Sequence, residues 1–199
     1  MKNNQVKNIV GTAIFSAICI VLTLISNYIP IAGITINLAL IAIAMAAMLY
    51  GPFSGFIVGL VNGAIVMLAA GPFFAISPFG TVLVCLLKSG LAGLISGLIF
   101  KVLQKKNNVV ATIIATIIVP IINTGLFIVG ALIFFNGLIG DLISIFISLN
   151  FGIEFVICAL VAPSLSVIIN VNQKKYASNL EMQKENAAHE HIIIKKGNK

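Results

Sequence analysis

Long apolar runs recur along the first 171 residues of this chain with only short breaks between them. Several reach the roughly 20 residues that a helix needs to cross a hydrocarbon core about 30 Å thick. The runs are apolar on every face, whereas a membrane-spanning β-strand would alternate apolar and polar residues over about 10 positions. An all-α, polytopic membrane protein follows. The composition agrees: 60% of the 199 residues are hydrophobic and 9% are charged, a balance foreign to soluble domains of this size.

Breaks in the apolar pattern divide the chain into six expected spans, at about residues 9–27, 36–50, 53–70, 79–102, 109–135 and 149–171. Pro30 and Gly33 end the first, Gly51-Pro52 makes a tight turn between the second and third, and Gly71-Pro72 with Pro78 brackets a loop before the fourth. The first run follows Lys2 and Lys7 as the core of a signal peptide would, but its length and the lack of a small-residue cleavage site read as a retained helix. Residues 1–171 thus form one six-helix membrane domain, and 172–199 a polar, frayed or weakly helical tail. Cys19, Cys85 and Cys158 lie apart inside apolar runs, without metal-ligand spacing, and read as small core residues. His189 and His191 flank a glutamate in the tail and read as solvated side chains.

The formal charge of +7 does not form the basic patch of a nucleic-acid binder. All twelve basic residues are lysines, and eleven sit at the N-terminus, between the fourth and fifth spans, or in the tail. With six spans these regions share one side, which the positive-inside rule makes cytoplasmic, termini included. The opposite loops, 28–35, 71–78 and 136–148, hold no lysine and one charge, Asp141.

The twelfth lysine breaks this pattern. Lys88 stands inside TVLVCLLKSGLAGLISGLIF, residues 81–100, and Glu154 stands inside the last span. Ionisable groups within spans are costly and mark functional sites or internal pairs. Counting from the outer helix ends at about 1.5 Å per residue puts Lys88 about 12 Å deep, Glu154 about 8 Å and Asn123 about 18 Å, so one cavity open to the outside can gather them. Two readings stand side by side. Lys88 and Glu154 can be an ion pair joining two helices, with Asn123 as an interhelical hydrogen bond. Alternatively, Lys88 offers its ammonium to an anionic solute, Asn123 offers donors and acceptors, and Glu154 balances Lys88 or accepts from a hydroxyl. Asn62 lies at mid-depth on the third span, where it can join helices. No HExxH, GxSxG, Ser/His/Asp set or GxxxxGK[ST] occurs, so neither catalysis nor ATP hydrolysis is expected. In GTAIFSAICI, Ala13 and Ala17 lie four apart, near Gly11, where they permit close approach of another helix.

Together the AxxxA pair, NLALIAIAMAAMLYGPFSGFIVGLVNG, ISPFGTVLVCLLKSGLAGLISGLIFK and PIINTGLFIVGALIFF resemble the substrate-binding S component of energy-coupling factor (ECF) vitamin transporters over residues 9–171. The NLAL, PFGT, LLKSGLAGL and NTG elements are most similar to the pantothenate type. That resemblance implies a multi-pass subunit of the bacterial cell membrane that binds a water-soluble vitamin near the outer face. It further implies docking through Ala13 and Ala17 on a transmembrane coupling subunit that carries two cytoplasmic ATPases, and release inside by toppling. It implies neither a cofactor nor an enzymatic activity of the chain itself. A carboxylate suits Lys88 and an amide suits Asn123, as in pantothenate. Asn37, Ser77, Thr81 and Asn150 are candidates for the outer rim, each equally able to cap a helix or meet lipid headgroups. Phe73, Phe74 and Phe79 can stack on a ligand or pack within the loop. The same machine with riboflavin, folate or another small acid, a proton-coupled carrier using Lys88 and Glu154, and an assembly subunit are the competing readings.

Overall fold

The computed structural model describes residues 2–28, 36–135 and 141–197, the side chains of 2–4, 141–148, 176–177, 179–180 and 183–197 excepted. Among the described residues every element is a helix: α1 (Lys2–Tyr28), α2 (Ala39–Tyr50), α3 (Pro52–Ala69), α4 (Gly71–Ile76), α5 (Pro78–Leu103), α6 (Asn108–Phe134) and α7 (Asp141–Gly197). Five of them, α1, α3, α5, α6 and the Leu149–Lys175 part of α7, carry stretches long and apolar enough to cross a membrane. The expected second span is shorter than its neighbours. With 12 residues, α2 is about 18 Å long, less than a hydrocarbon core of about 30 Å.

The helix ends are set by local chemistry. Gly51 turns the chain between α2 and α3 at φ 102°, a left-handed conformation that a side chain disfavours, and Pro52 then opens α3. Ser77 is extended, and its Oγ accepts from the Gly80 N–H at 3.2 Å to cap α5, with Pro78 in the first turn. Asn107 caps α6 by accepting from Val109 and Val110. The expected loop 71–78 instead contains α4, because Pro72 falls in a first turn, where its missing N–H costs nothing. Residues 29–35, with Pro30 and Gly33, lie outside the described residues. Of the expected loop 136–148, residues 136–140 lie outside them and 141–148 are helical. There is no helix end at 171: α7 continues through the polar segment to Gly197. The side chains of His189 and His191 are outside the described set.

Chain direction alternates from helix to helix. Ser26, near the end of α1, accepts from the Leu38 N–H at the start of α2, and the Tyr50 ring at the end of α2 covers Gly11 near the start of α1. α2 is wedged among α1, α3, α5, α6 and α7, and its alanines fill the middle of the core with Cys19, Val58, Ala115, Val119 and Cys158. The tightest seam lies between α3 and α5. Gly55, Gly59 and Gly63 recur every fourth residue on α3, and Cβ atoms at Gly59 and Gly63 would strike the carbonyls of Ser89 and Cys85. From the other side, a Cβ at Gly93 would strike the Gly55 carbonyl. In lipid, where no hydrophobic force draws helices together, such backbone-to-backbone approach supplies the packing. All three cysteines are buried free thiols; Cys19 and Cys158 belong to the core.

A polar chain crosses the bundle at mid-depth. Thr23 of α1 meets Asn62 Oδ1 of α3 at 2.9 Å, Asn62 Nδ2 donates to Ser89 Oγ of α5 at 3.0 Å, and Ser89 Oγ donates to Asn123 Oδ1 of α6 at 3.3 Å. Asn62 is therefore a helix-to-helix link, fully buried.

Candidate functional site

The seam and the polar chain converge below a cavity of about 410 Å³. Its walls come from one end of the bundle: Asn27 of α1, Val66 and Ala70 of α3 and its end, Phe73 of α4, and Thr81, Cys85 and Lys88 of α5. Asn123, Thr124 and Phe127 of α6, Phe135 just beyond it, and Asn150 of α7 line it from the other side. This end lies opposite Lys101, Lys105 and Lys106, which are exposed around the α5–α6 turn. Thr81, Cys85 and Lys88 lie at i, i+4 and i+7, which places all three on one face of α5; Asn123 and Phe127 share a face of α6 in the same way.

The Lys88 ammonium lies 5.0 Å from the centroid of the Phe127 ring, a cation–π arrangement that holds a charge in an apolar wall. Phe73 meets Phe127 edge-on at 5.8 Å and Phe135 at 5.1 Å, so the rings brace one another. Asn123 is 5% exposed, and its Oδ1 is taken by Ser89. Glu154 borders an adjoining chamber of about 80 Å³, which Lys88, Asn123 and Asn150 border as well. Its Oε1 accepts from the Asn37 backbone N–H at 3.1 Å and from Asn150 Nδ2 at 3.3 Å. Among the described residues its Oε2 has no hydrogen-bond partner. Lys88 and Glu154 thus face one chamber with no hydrogen bond between them.

The rim residues divide. Thr81 borders the main cavity and Asn150 both spaces, while Asn37 reaches the small chamber. Thr81 Oγ1 donates to the Ser77 carbonyl, and Asn37 Oδ1 accepts from the Ala39 N–H. Ser77 is spent on the α5 cap and borders neither space. Phe79 stands two residues before Thr81, about 200° round the helix, and is 71% exposed with its ring against Phe134. Phe73 points inward and Phe74 borders neither space. Ala13 and Ala17 are exposed on the outside of α1, flanked by exposed Val10, Ile14 and Val21, whereas Gly11 and Thr12 face inward.

Sequence reasoning missed Phe127, Ser89, Asn27 and Thr124. The signal for Phe127 was its place one turn beyond Asn123. That for Ser89 was a small hydroxyl opposite a glycine-rich helix. Among the described residues, no three His, Cys, Asp or Glu side chains gather as metal ligands.

The chamber and its carrier helices lie almost wholly within residues 7–166, the stretch matched by the family model for the ECF transporter, substrate-specific component. Comparison with curated proteins and with solved structures produced no match. With most of its length covered by that family and five helices of membrane-spanning length, the chain belongs to the substrate-specific components of ECF transporters: multi-pass, substrate-binding subunits, not enzymes, that work with ECF coupling components and ATPases.

Proposed function

We propose that this S component captures pantothenate from outside a bacterial cell and delivers it to the ATP-driven coupling module. The observation that carries the reading is the Lys88 ammonium, raised over Phe127 beside a cavity of about 410 Å³ and hydrogen-bonded to neither oxygen of Glu154. That volume lies within the roughly 300–1,000 Å³ usual for small-molecule sites. An ammonium so placed anchors a carboxylate, and the wall of Phe73, Phe127 and Phe135 excludes the water that would compete. Asn123, with Oδ1 held by Ser89, keeps its Nδ2 for the carbonyl of the ligand's amide. Thr81, Asn150, Glu154 and Asn37 supply polar contacts around it. Ser77 and Phe79 act at the rim by holding the start of α5.

In this reading the short α2 completes six crossings. It runs from the Ser26–Leu38 contact at the cavity end to the Tyr50–Gly11 contact at the other. The termini and the Lys101–Lys106 turn then face the cytoplasm, and the cavity faces out. The exposed Ala13–Ala17 stripe is the surface through which α1 docks on the coupling subunit.

The test is mass spectrometry of the small molecule that co-purifies with the chain, followed by titration with pantothenate in the absence of ATP. Recovery of pantothenate and saturable binding support the reading; recovery of a flat, carboxylate-free ligand contradicts it.

A further inference from the structure

At the end of the bundle opposite the cavity, two distant stretches of chain bring exposed lysines together. Lys101 lies in the last turn of α5, Lys105 and Lys106 lie in the turn that follows, and Lys174 and Lys175 lie on α7. All of them are exposed. The two stretches are tied to each other, because Gln173 Nε2 of α7 donates to Gln104 Oε1 after α5 at 3.2 Å. Each lysine pair follows directly on a glutamine of that bond. The acidic residues of the chain are Asp141, Glu154, Glu181, Glu185 and Glu190. Glu154 borders the small chamber at the other end, and Glu181, the nearest in sequence, follows Lys175 at about 9 Å farther along the helix.

The membrane-length stretches of α5 and α7 end at Leu103 and Lys175, and that of α6 begins at Asn108. The lysines therefore stand where a hydrocarbon core would give way to headgroups. One turn deeper, each pair is preceded by an exposed valine: Val102, 67% exposed, before Lys105 and Lys106, and Val171, 61% exposed, before Lys174 and Lys175.

We infer that this surface binds an anionic phospholipid, with the phosphate held among the ammoniums of Lys105, Lys106, Lys174 and Lys175, Lys101 beside them, and the acyl chains along the apolar flanks around Val102 and Val171. Clusters of about four to eight basic residues at the end of a membrane span attract such headgroups, each lysine adding to the attraction. A free phosphate or an acidic protein would meet the ammoniums but would leave the apolar surface below them unused. Orientation of the chain in the membrane needs only a count of charges on one side. The bond between Gln104 and Gln173 does something further, since it fixes where two pairs of those charges stand relative to each other.

The experiment is native mass spectrometry of the purified full chain, released from micelles that hold equal amounts of phosphatidylglycerol and phosphatidylcholine with the same acyl chains. Retained lipid should be enriched in phosphatidylglycerol on the order of tenfold at low salt, and the enrichment should fall as salt screens the charges. Replacing either pair, Lys105→Gln with Lys106→Gln or Lys174→Gln with Lys175→Gln, should cut the enrichment by about threefold or more. Replacing tail lysines instead, Lys195→Gln, Lys196→Gln and Lys199→Gln together, should leave it within about twofold. Equal retention of the two lipids by the unaltered chain, or an enrichment indifferent to salt, overturns the site whether or not the variants fold. An equal fall in the pair variants and the tail variant marks an effect of net charge alone and also overturns it. Weakened binding of the pair variants to the coupling module, with no lipid enrichment in the unaltered chain, gives the surface to a protein partner instead. Pantothenate enters none of these readouts, so the lipid site stands or falls separately from the proposed substrate.

Discussion

Helix α5 has two faces that solve opposite problems. Toward α3 it presents Cys85, Ser89 and Gly93, and the backbones close until no Cβ fits at the facing glycines. Toward α6 and α7 it presents Thr81, Cys85 and Lys88, and a cavity of about 410 Å³ stays open between them. One face is held by the absence of side chains; the other is lined by an ammonium and a brace of three rings. The difference is between a seam packed backbone to backbone and a wall lined by side chains.

Substitutions on the two faces should separate binding from stability. The largest effect is expected at Lys88→Ala, which should weaken pantothenate binding by about 2–5 kcal/mol with little change in the thermal midpoint; isothermal titration and thermal unfolding in detergent check both. On the closed face, Gly59→Val forces a side chain against the Ser89 carbonyl and should cost about 1–3 kcal/mol or more of stability, seen as a lowered midpoint, while the folded fraction still binds. A smaller loss, about 0.5–2 kcal/mol of binding, is expected for Phe127→Leu, which keeps the wall apolar but takes the ring from beneath the ammonium. At the bottom of the scale, bulky replacements at Ala13 and Ala17 should leave solute binding unchanged. In reconstituted vesicles containing the coupling module, the same replacements should abolish uptake. Equal loss of binding and uptake would instead mark them as folding residues.

The asymmetry between the faces also explains what the sequence disclosed. The positions of α1, α2, α3, α5 and α6 were legible because each run is apolar for its whole length and is bounded by Gly-Pro, Ser-Pro or Asn, whereas α4 and the polar continuation of α7 carry no such run. Lys88, Glu154 and Asn123 were legible because polar groups inside such runs are costly enough to demand a reason. The rotation of each helix was not. A helix that is apolar all round has no stripe to show which face turns inward, so Phe79 and Thr81 looked alike although one is exposed on the outside of the bundle and the other lines the cavity. Phe127 was hidden for the same reason, as an aromatic residue among apolar neighbours. Ser77 carries both a capping and a ligand reading at the level of sequence, and only its geometry to Gly80 shows the cap. Lys88 and Glu154, which their charges suggest as an ion pair, share no hydrogen bond: the lysine lies over a ring and the glutamate accepts from a backbone N–H.

The most direct test of carboxylate capture by Lys88 is a titration of the unaltered chain and of Lys88→Ala with pantothenate, without ATP and at matched protein stability. Saturable binding by the unaltered chain, weakened by about 30-fold to several thousand-fold in Lys88→Ala, is the predicted result. Indistinguishable affinities would show that the lysine over Phe127 does not hold the ligand.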